Sequence, residues 1–263
     1  MPITVPELRA FKERSERFVM LTAYDYPTAR ILDEAGIPVL LVGDSVGNNA
    51  LGYDTTIPVT MEEMLHHTRA VVRGATDALV VGDMPFMSFH TTIEHAVGNA
   101  GRFLKEAGAH AIKLERPNIE VAEAIVDRGI PVMGHLGLGP QSVHAMGGYR
   151  VQGRTEEDAR KILDEAQALD KAGIFALVLE GIPSGLAAQI TDAVSAPTIG
   201  IGAGPHCDGQ VLVVNDLLGL GFGTYPKFAK PYADLRGAIT DAVTRFRQDV
   251  QAGLFPDEAH SYR

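Results

Sequence analysis

Eight short apolar runs alternate with amphipathic segments along most of the chain. Each run has the length and the nearly continuous apolar character of a strand that is buried on both faces of a parallel sheet. The runs lie near residues 18–23, 38–43, 78–82, 110–115, 130–136, 175–180, 197–202 and 210–215. The pattern therefore predicts eight parallel strands.

The segments between most of these runs carry apolar residues three and four positions apart, which predicts helices. Glycine follows several of them, as in Ala35-Gly36 and Ala172-Gly173, and glycine suits the C-terminus of a helix. The predicted helices cover residues 4–16, 26–35, 60–72, 92–106, 119–127, 155–172 and 183–194.

Strand–helix alternation of this kind is typical of an α/β fold of the (β/α)8 TIM barrel type. A doubly wound open sheet is the alternative, but eight well-spaced strands without a long linker favour closure. We predict one barrel domain over residues 1–263, with an N-terminal helix within 1–17 and a C-terminal tail at 253–263. The polar, glycine-rich stretch 137–154 follows the fifth strand and would lie over the catalytic face of a barrel.

The amino-acid composition limits the kinds of partner that this protein can bind and the compartment that it suits. The 263 residues carry a formal net charge of −10, which argues against nucleic acid and anionic membranes as partners. The single cysteine, Cys207, excludes an intrachain disulfide and suits a reducing compartment. No apolar run approaches the roughly 20 residues that span a bilayer, and the charged N-terminus does not resemble a signal peptide. We expect a soluble, cytoplasmic protein.

Four carboxylates stand at or just after the ends of four predicted strands. They are Asp44, Asp83, Glu115 and Glu180. Because all strands of a parallel barrel point the same way, their C-terminal ends gather on one face. Acids that gather there repel one another unless a cation or a role in proton transfer accounts for them.

Several interpretations of these residues stay open at this point. Asp44 and Asp83 follow matched apolar runs and suit a Mg2+ site, although each could instead cap a loop or helix. Lys113 and Glu115 share the face of their strand that looks into the barrel, where they are mutually satisfied, solvated in a pocket or engaged with a ligand. Glu180 could be a base, a ligand or a loop anchor.

His135, next to the end of the fifth run, also has two interpretations. It could orient a substrate, or it could be a core histidine that is bonded to the backbone.

A series of longer motifs points to one family. They include MLTAYDYPTA, LLVGDSVG, LGYDTTIPVT, GDMPFMSF, IKLE, PVMGHLGLGPQSV, LVLEGIP and IGIGAGPHCDGQVLV, in this order from about residue 18. The chain resembles the ketopantoate hydroxymethyltransferase (3-methyl-2-oxobutanoate hydroxymethyltransferase) family along almost its whole length.

This resemblance implies a TIM barrel of the phosphoenolpyruvate/pyruvate-utilising superfamily. It implies transfer of a hydroxymethyl group from 5,10-methylenetetrahydrofolate to 3-methyl-2-oxobutanoate, giving 2-dehydropantoate through a Mg2+-stabilised enolate in pantothenate biosynthesis. It also implies a homodecamer, built as a ring of dimers. The alternatives are another Mg2+-dependent 2-oxo-acid C–C or C–P lyase of the superfamily, and a non-catalytic barrel that binds an oxo acid.

The resemblance also implies roles for residues at matching motif positions. Asp44, Asp83 and Glu115 correspond to the metal site, and Glu180 corresponds to the catalytic base. The residues that correspond to substrate binding are Asp44, Ser45, Asp83 and Lys113, and His135 is a weaker candidate from its own position in the chain. One departure concerns Arg116 and Pro117, which follow IKLE where glycines are common in the family, and it leaves the folate contacts open.

Overall fold

The computed structural model describes residues 2–262 and contains a closed barrel of eight parallel strands. Each strand pairs with the next along the chain, and the last pairs with the first. The strands are β1 (Phe18–Thr22), β2 (Val39–Val42), β3 (Leu79–Asp83), β4 (Ala111–Glu115), β5 (Val132–Gly137), β6 (Ala176–Glu180), β7 (Thr198–Ile201) and β8 (Gly209–Leu212). The predicted barrel is confirmed, and the open-sheet alternative is wrong.

Helices precede the barrel, follow most strands and continue after the barrel. They are α1 (Val5–Glu13), α2 (Tyr26–Glu34), α3 (Met61–Gly74), α4 (Ile93–Lys105), α5 (Ile119–Val126), α6 (Val143–Met146), α7 (Glu156–Lys171), α8 (Ser184–Ala193), α9 (Val214–Leu217) and α10 (Leu235–Gln251). In the part of the chain that the structure describes, none of them is long and apolar enough to cross a membrane.

The start of α3 is explained by hydrogen bonds between side chains and the backbone of its first turn. The side chain of Thr60 accepts a hydrogen bond from the backbone N–H of Glu63, and the Glu63 carboxylate accepts one from the backbone of Thr60. This reciprocal capping box satisfies two N–H groups that the first turn of α3 leaves unpaired. The predicted start of this helix is therefore confirmed.

Near the C-terminus the predicted end of the eighth strand is wrong, and one helix lies outside the predicted elements. The eighth apolar run was assigned to residues 210–215, but β8 ends at Leu212 and helix α9 begins at Val214. The last residue of β8 that pairs with β1 is Leu212, which lies opposite Leu21. Helix α10 was not predicted, although Asp234 caps it by accepting from the N–H of Gly237.

The chain divides into two compact units. The first extends to Val213 and holds the barrel, and the second begins at Val214 and holds α9 and α10. The assignment of all 263 residues to one domain stays a prediction.

The barrel interior is filled by alternate side chains of the strands. Val81, Ala111 and Met133 lie in this buried cluster. Because side chains alternate along a strand, Lys113 and Glu115 face the same way as Ala111, into the barrel. The charged end of β4 is therefore stacked above an apolar layer, at the carboxyl mouth.

Close packing on the outer face of β3 depends on one glycine, Gly82. A Cβ atom on Gly82 would overlap the ring of Phe103, which is fully buried on α4. The absence of a side chain at Gly82 lets this ring pack directly against the strand that ends in Asp83.

We expect Gly82→Ala to lower the free energy of unfolding by about 1–3 kcal/mol because the added methyl displaces the Phe103 ring. Gly98→Ala, on α4 where a Cβ meets no atom within 4 Å, should instead raise it by about 0.5–1 kcal/mol. Urea denaturation measures both values. Equal stability of Gly82→Ala and the wild type would contradict this account of the packing.

Candidate active site

Three carboxylates are buried together at the carboxyl mouth of the barrel. Asp83 and Glu115 are the last residues of β3 and β4, and Asp44 lies two residues after β2. Their exposed fractions are 5% for Asp44, 1% for Asp83 and 3% for Glu115. The structure therefore brings together the three predicted metal ligands.

The ammonium group of Lys113 supplies a positive charge within this cluster of carboxylates. It donates to both carboxylate oxygens of Asp83, at 2.6 Å each. The two residues are opposite each other in the β3–β4 register, so strand pairing alone places them in contact. Asp83 Oδ2 also accepts from the backbone N–H of Asp44, at 3.1 Å. Lys113 thus pairs with Asp83 and not with Glu115.

Gln141 links the acids of two strands and is not among the predicted site residues. Its Nε2 donates to Asp44 Oδ2 at 3.0 Å and to the carbonyl oxygen of Met84 at 3.0 Å. Its backbone N–H donates to Glu115 Oε2 at 3.2 Å. The available signal was its place in the loop after β5, which was predicted to lie over the mouth.

Glu115 keeps one oxygen without a partner. Its Oε1 is buried and accepts no hydrogen bond from any residue that the structure describes. Gly139 runs so close to this carboxylate that a Cβ there would overlap it. A buried carboxylate oxygen in this state is suited to accept from a ligand or to bind a cation.

Burial and mutual repulsion change the proton affinity of these acids. Burial, reinforced by the charge of Asp44, raises the pKa of Glu115 to about 8. Burial also raises the pKa of Asp83 to about 7, against the opposing effect of the Lys113 ammonium. Burial disfavours the charged form of Lys113, but the neighbouring charges of Asp83 and Asp44 outweigh it and raise its pKa.

Glu180 and His135, on the neighbouring strands β6 and β5, form a second close pair at the mouth of the barrel. Glu180 ends β6 with 18% of its side chain exposed, and its Oε2 lies 3.3 Å from Nε2 of buried His135. Neither ring nitrogen of His135 has an aligned hydrogen-bond partner among residues 2–262, so the two side chains are close without forming an aligned hydrogen bond. Burial lowers the pKa of His135, which keeps the imidazole neutral. The alternative of a histidine bonded to the backbone is wrong.

Ser45 contacts the hydroxyl group of Tyr24, which is not among the predicted site residues. Its Oγ lies 2.8 Å from the hydroxyl oxygen of Tyr24, and either group can donate. Tyr24 follows β1, so the contact connects the first two strand ends.

The site fits a divalent cation in its donor chemistry. Asp44, Asp83 and Glu115 carry three negative charges when ionised, and Lys113 supplies one positive charge. No three His, Cys, Asp or Glu side chains among the described residues already form a metal-binding group. Mg2+, however, is commonly held by one or two carboxylates, with water and substrate oxygens as further ligands.

Comparison with known proteins identifies close relatives. A model of the ketopantoate hydroxymethyltransferase family matches residues 2–258. The 3-methyl-2-oxobutanoate hydroxymethyltransferase of Thermoanaerobacter sp. (strain X514) is 56% identical over 257 residues, covering 97% of this chain and 94% of that protein. The enzyme of the same name from Moorella thermoacetica is 56% identical over 263 residues, covering 99% and 98%.

Solved structures show the same architecture at much lower identity. A phosphonopyruvate hydrolase in complex with oxalate and Mg2+ has a TM-score of 0.62 and 14% identity, covering 100% of this chain and 92% of that chain. A 2,3-dimethylmalate lyase of the PEP mutase/isocitrate lyase superfamily has a TM-score of 0.62 and 16% identity, covering 99% and 92%. At this identity the likeness concerns the fold alone.

The raised pKa of Glu115 predicts a pH dependence of stability. Its value of about 8 in the folded protein exceeds the ordinary value of about 4.3. The folded state therefore binds the proton more tightly, and this stabilisation is present below about pH 4 and is lost as the pH rises through 8. Asp83 contributes in the same direction.

In metal-free protein we expect the free energy of unfolding to fall between about pH 5 and pH 9. Glu115→Gln should flatten this profile and, at about pH 9, be more stable than the wild type by about 1–3 kcal/mol. Urea denaturation across this pH range provides the measurement. Parallel profiles for the two proteins would show that Glu115 does not titrate as described.

Proposed function

This chain belongs to the ketopantoate hydroxymethyltransferase family, and on that premise we propose which reaction it catalyses and how. It transfers a hydroxymethyl group from 5,10-methylenetetrahydrofolate to 3-methyl-2-oxobutanoate, forming 2-dehydropantoate for pantothenate biosynthesis. The observation that carries the proposal is the buried group of Asp44, Asp83 and Glu115 around Lys113, because it suits a charged oxo acid and a cation.

Charge balance supports Mg2+ as the cofactor. Three carboxylates and one ammonium leave two negative charges, which a divalent cation would neutralise. Asp44 and Asp83 would hold the ion, with Glu115 as a third acid beside it, because hard cations prefer oxygen ligands. When bound, Mg2+ would supply positive charge that polarises the keto group of the substrate.

Lys113 and Ser45 would bind and orient the oxo acid. The ammonium of Lys113 is fixed by its two 2.6 Å contacts with Asp83, so it is already in place to favour negative charge that develops on a nearby oxygen. The Ser45 hydroxyl, positioned by Tyr24, can donate to a substrate oxygen.

Glu180 would be the general base. Its carboxylate is partly exposed at the mouth, so a substrate bound there can reach it. It would take the proton from C3 of 3-methyl-2-oxobutanoate, and the resulting carbanion would form a C–C bond to the one-carbon unit of the folate. The two bonds from this carbon to the folate nitrogens break, water supplies the hydroxyl oxygen, and tetrahydrofolate leaves with a proton on each nitrogen. A neutral His135 beside Glu180 does not cancel the charge of the base.

The two alternatives are less well supported. The structures of hydrolases and lyases resemble this chain at only 14–16% identity, whereas the curated relatives at 56% identity are all named hydroxymethyltransferases. A non-catalytic barrel would not require Glu180 and Lys113 to face the same mouth as the three other acids.

One reaction mixture tests the function directly. The purified protein is incubated with 3-methyl-2-oxobutanoate, 5,10-methylenetetrahydrofolate and Mg2+, and 2-dehydropantoate is measured by mass spectrometry. We expect product that depends on all three additions. Cleavage of the oxo acid, or of phosphonopyruvate supplied in its place, without hydroxymethyl transfer would favour the lyase alternative.

Proton exchange at C3 tests the base separately from the folate. We expect Glu180→Gln to bind 3-methyl-2-oxobutanoate and Mg2+ but to exchange the C3 proton with deuterium at least 100-fold more slowly than the wild type. Proton NMR follows the exchange, and calorimetry follows the binding.

Asp83→Asn is the comparison variant for Glu180→Gln. It should lose Mg2+-dependent binding of the oxo acid as well as exchange of the C3 proton. Wild-type exchange by Glu180→Gln would remove this residue as the base.

We also propose that the chain forms a homo-oligomer, with a decameric ring of dimers as the expected form. Helix α10 supports this proposal, because it has no buried residue in the part of the chain that the structure describes. Ile239, Val243, Phe246 and Val250 lie on one helical face and are 48%, 61%, 56% and 47% exposed. An apolar stripe of this kind suits an interface with a second copy.

Val243→Lys should therefore shift the protein to a smaller assembly, because a charge in an apolar interface loses hydration without a partner. Gln248→Lys, an exposed position off this stripe, is the control and should keep the wild-type mass. Sedimentation velocity measures both. The same mass for wild type and Val243→Lys would exclude this face as the interface.

A further inference from the structure

A cavity opens beside the proposed active site and is not used by the mechanism described above. Its volume is about 420 Å3, which lies within the range of about 300–1,000 Å3 that is usual for small-ligand sites. The loops that follow β3 and β4 form it, directly after the strand-end acids Asp83 and Glu115. Its lining includes Phe89, His90, Thr92, Arg116, Asn118 and Glu120.

Arg116 gives this cavity a cation that is only weakly engaged. Its guanidinium lies 3.5 Å from the carbonyl oxygen of Gly137 and 4.0 Å from a carboxylate oxygen of Glu165, both at the limit of such contacts. Its side chain is 35% exposed. Most of its five N–H donors are therefore available to a ligand, and a guanidinium matches a carboxylate in a two-bond geometry.

An aromatic pair forms another part of the wall. The rings of Phe89 and His90 lie with their centroids 4.0 Å apart, at an interplanar angle of 33°. The Nδ1 atom of His90 accepts from the N–H of Met87, which fixes the orientation of the ring. A flat aromatic ligand can pack against such a wall.

The lining also includes one carboxylate, that of Glu120. Because like charges repel, an anionic group in the cavity must lie towards Arg116 and away from Glu120. The cavity therefore favours a ligand that combines a flat ring with a carboxylate at one end. The net charge of −10 strengthens this requirement, since the protein as a whole does not attract anions.

We propose that this cavity binds the p-aminobenzoylglutamate half of the folate donor. Arg116 pairs with a glutamate carboxylate, and the benzoyl ring packs against the exposed ring of His90, which lies on the buried ring of Phe89. The reactive carbon of the donor lies between the pterin and this half, so binding the tail here directs the one-carbon unit towards the neighbouring strand ends. This inference rests on the proposed function, because that function supplies the identity of the donor.

The test compares a ligand that carries the glutamyl group with one that ends in the benzoate carboxylate. Calorimetry measures binding of tetrahydrofolate and of tetrahydropteroate, which lacks the glutamyl group. We expect wild-type protein to prefer tetrahydrofolate by about 10- to 100-fold, as one charged, two-bond contact would give. Arg116→Gln should lose this preference by weakening tetrahydrofolate alone.

Arg116→Gly is a second variant that is expected to fold well. Arg116 has a φ of +44°, a conformation that glycine adopts without strain, so this change should not disturb the loop. It should lose the preference to the same extent. Arg128→Gln is the charge-matched control, because Arg128 lies after the far end of α5 and donates to the carbonyl oxygen of Ala124.

Two outcomes would overturn the inference. One is a wild-type preference that persists in both Arg116 variants, and the other is an equal loss of affinity for both ligands. Exchange of the C3 proton, which needs no folate, is measured on each protein. Absence of exchange in the wild type would count against the proposed function, whereas exchange with an unchanged preference in the variants would count against the role of Arg116 alone.

Discussion

At the mouth of the barrel, one buried ammonium faces three buried carboxylates. The ammonium of Lys113 contacts both oxygens of Asp83, while Asp44 and Glu115 each accept a hydrogen bond from an amide N–H of Gln141. Removing an unpaired charge from water costs several kcal/mol, and the whole fold is stable by only about 5–15 kcal/mol. The apo protein can meet this cost by holding protons on its acids, and this is the physical origin of the raised pKa values of Asp83 and Glu115.

The parallel barrel is what makes such a concentration of charge possible. Strand pairing places Asp83 opposite Lys113 and Glu115 opposite His135, so the positions of these side chains follow from the register alone. The apolar layers below the mouth supply the stability that the charged layer lacks. Gln141 completes the arrangement from the loop after β5, with uncharged donors that add no charge to the site.

The sequence was sufficient for the barrel and for most of the site, because both depend on periodic patterns. Near-continuous apolar runs identify strands that are buried on both faces, and an acid at the end of such a run must lie at the carboxyl mouth. Asp44, Asp83, Glu115 and Glu180 were therefore predictable as a group, although strand periodicity does not distinguish which of them pairs with Lys113.

Gln141 and Tyr24 were missed for a different reason. Both lie outside strands, where backbone conformation depends on tertiary contacts that no local pattern encodes. Helix α10 was missed because it follows the last of the eight predicted strands, where the strand–helix alternation has ended. Its apolar spacing and its cap at Asp234 were nevertheless available as signals.

Closure of the barrel has a consequence for the order of assembly. Phe18 of β1 pairs with Gly209 of β8, so the final seam joins the first strand of the chain to the last. A ribosome must therefore release residue 209 from its exit tunnel before the sheet can lose its two open edges. Until then the growing chain carries unpaired strand edges and solvent-exposed acids, and pairings with such wide sequence separation are slow to form. The residues that would perform the chemistry are thus translated well before the architecture that can hold them.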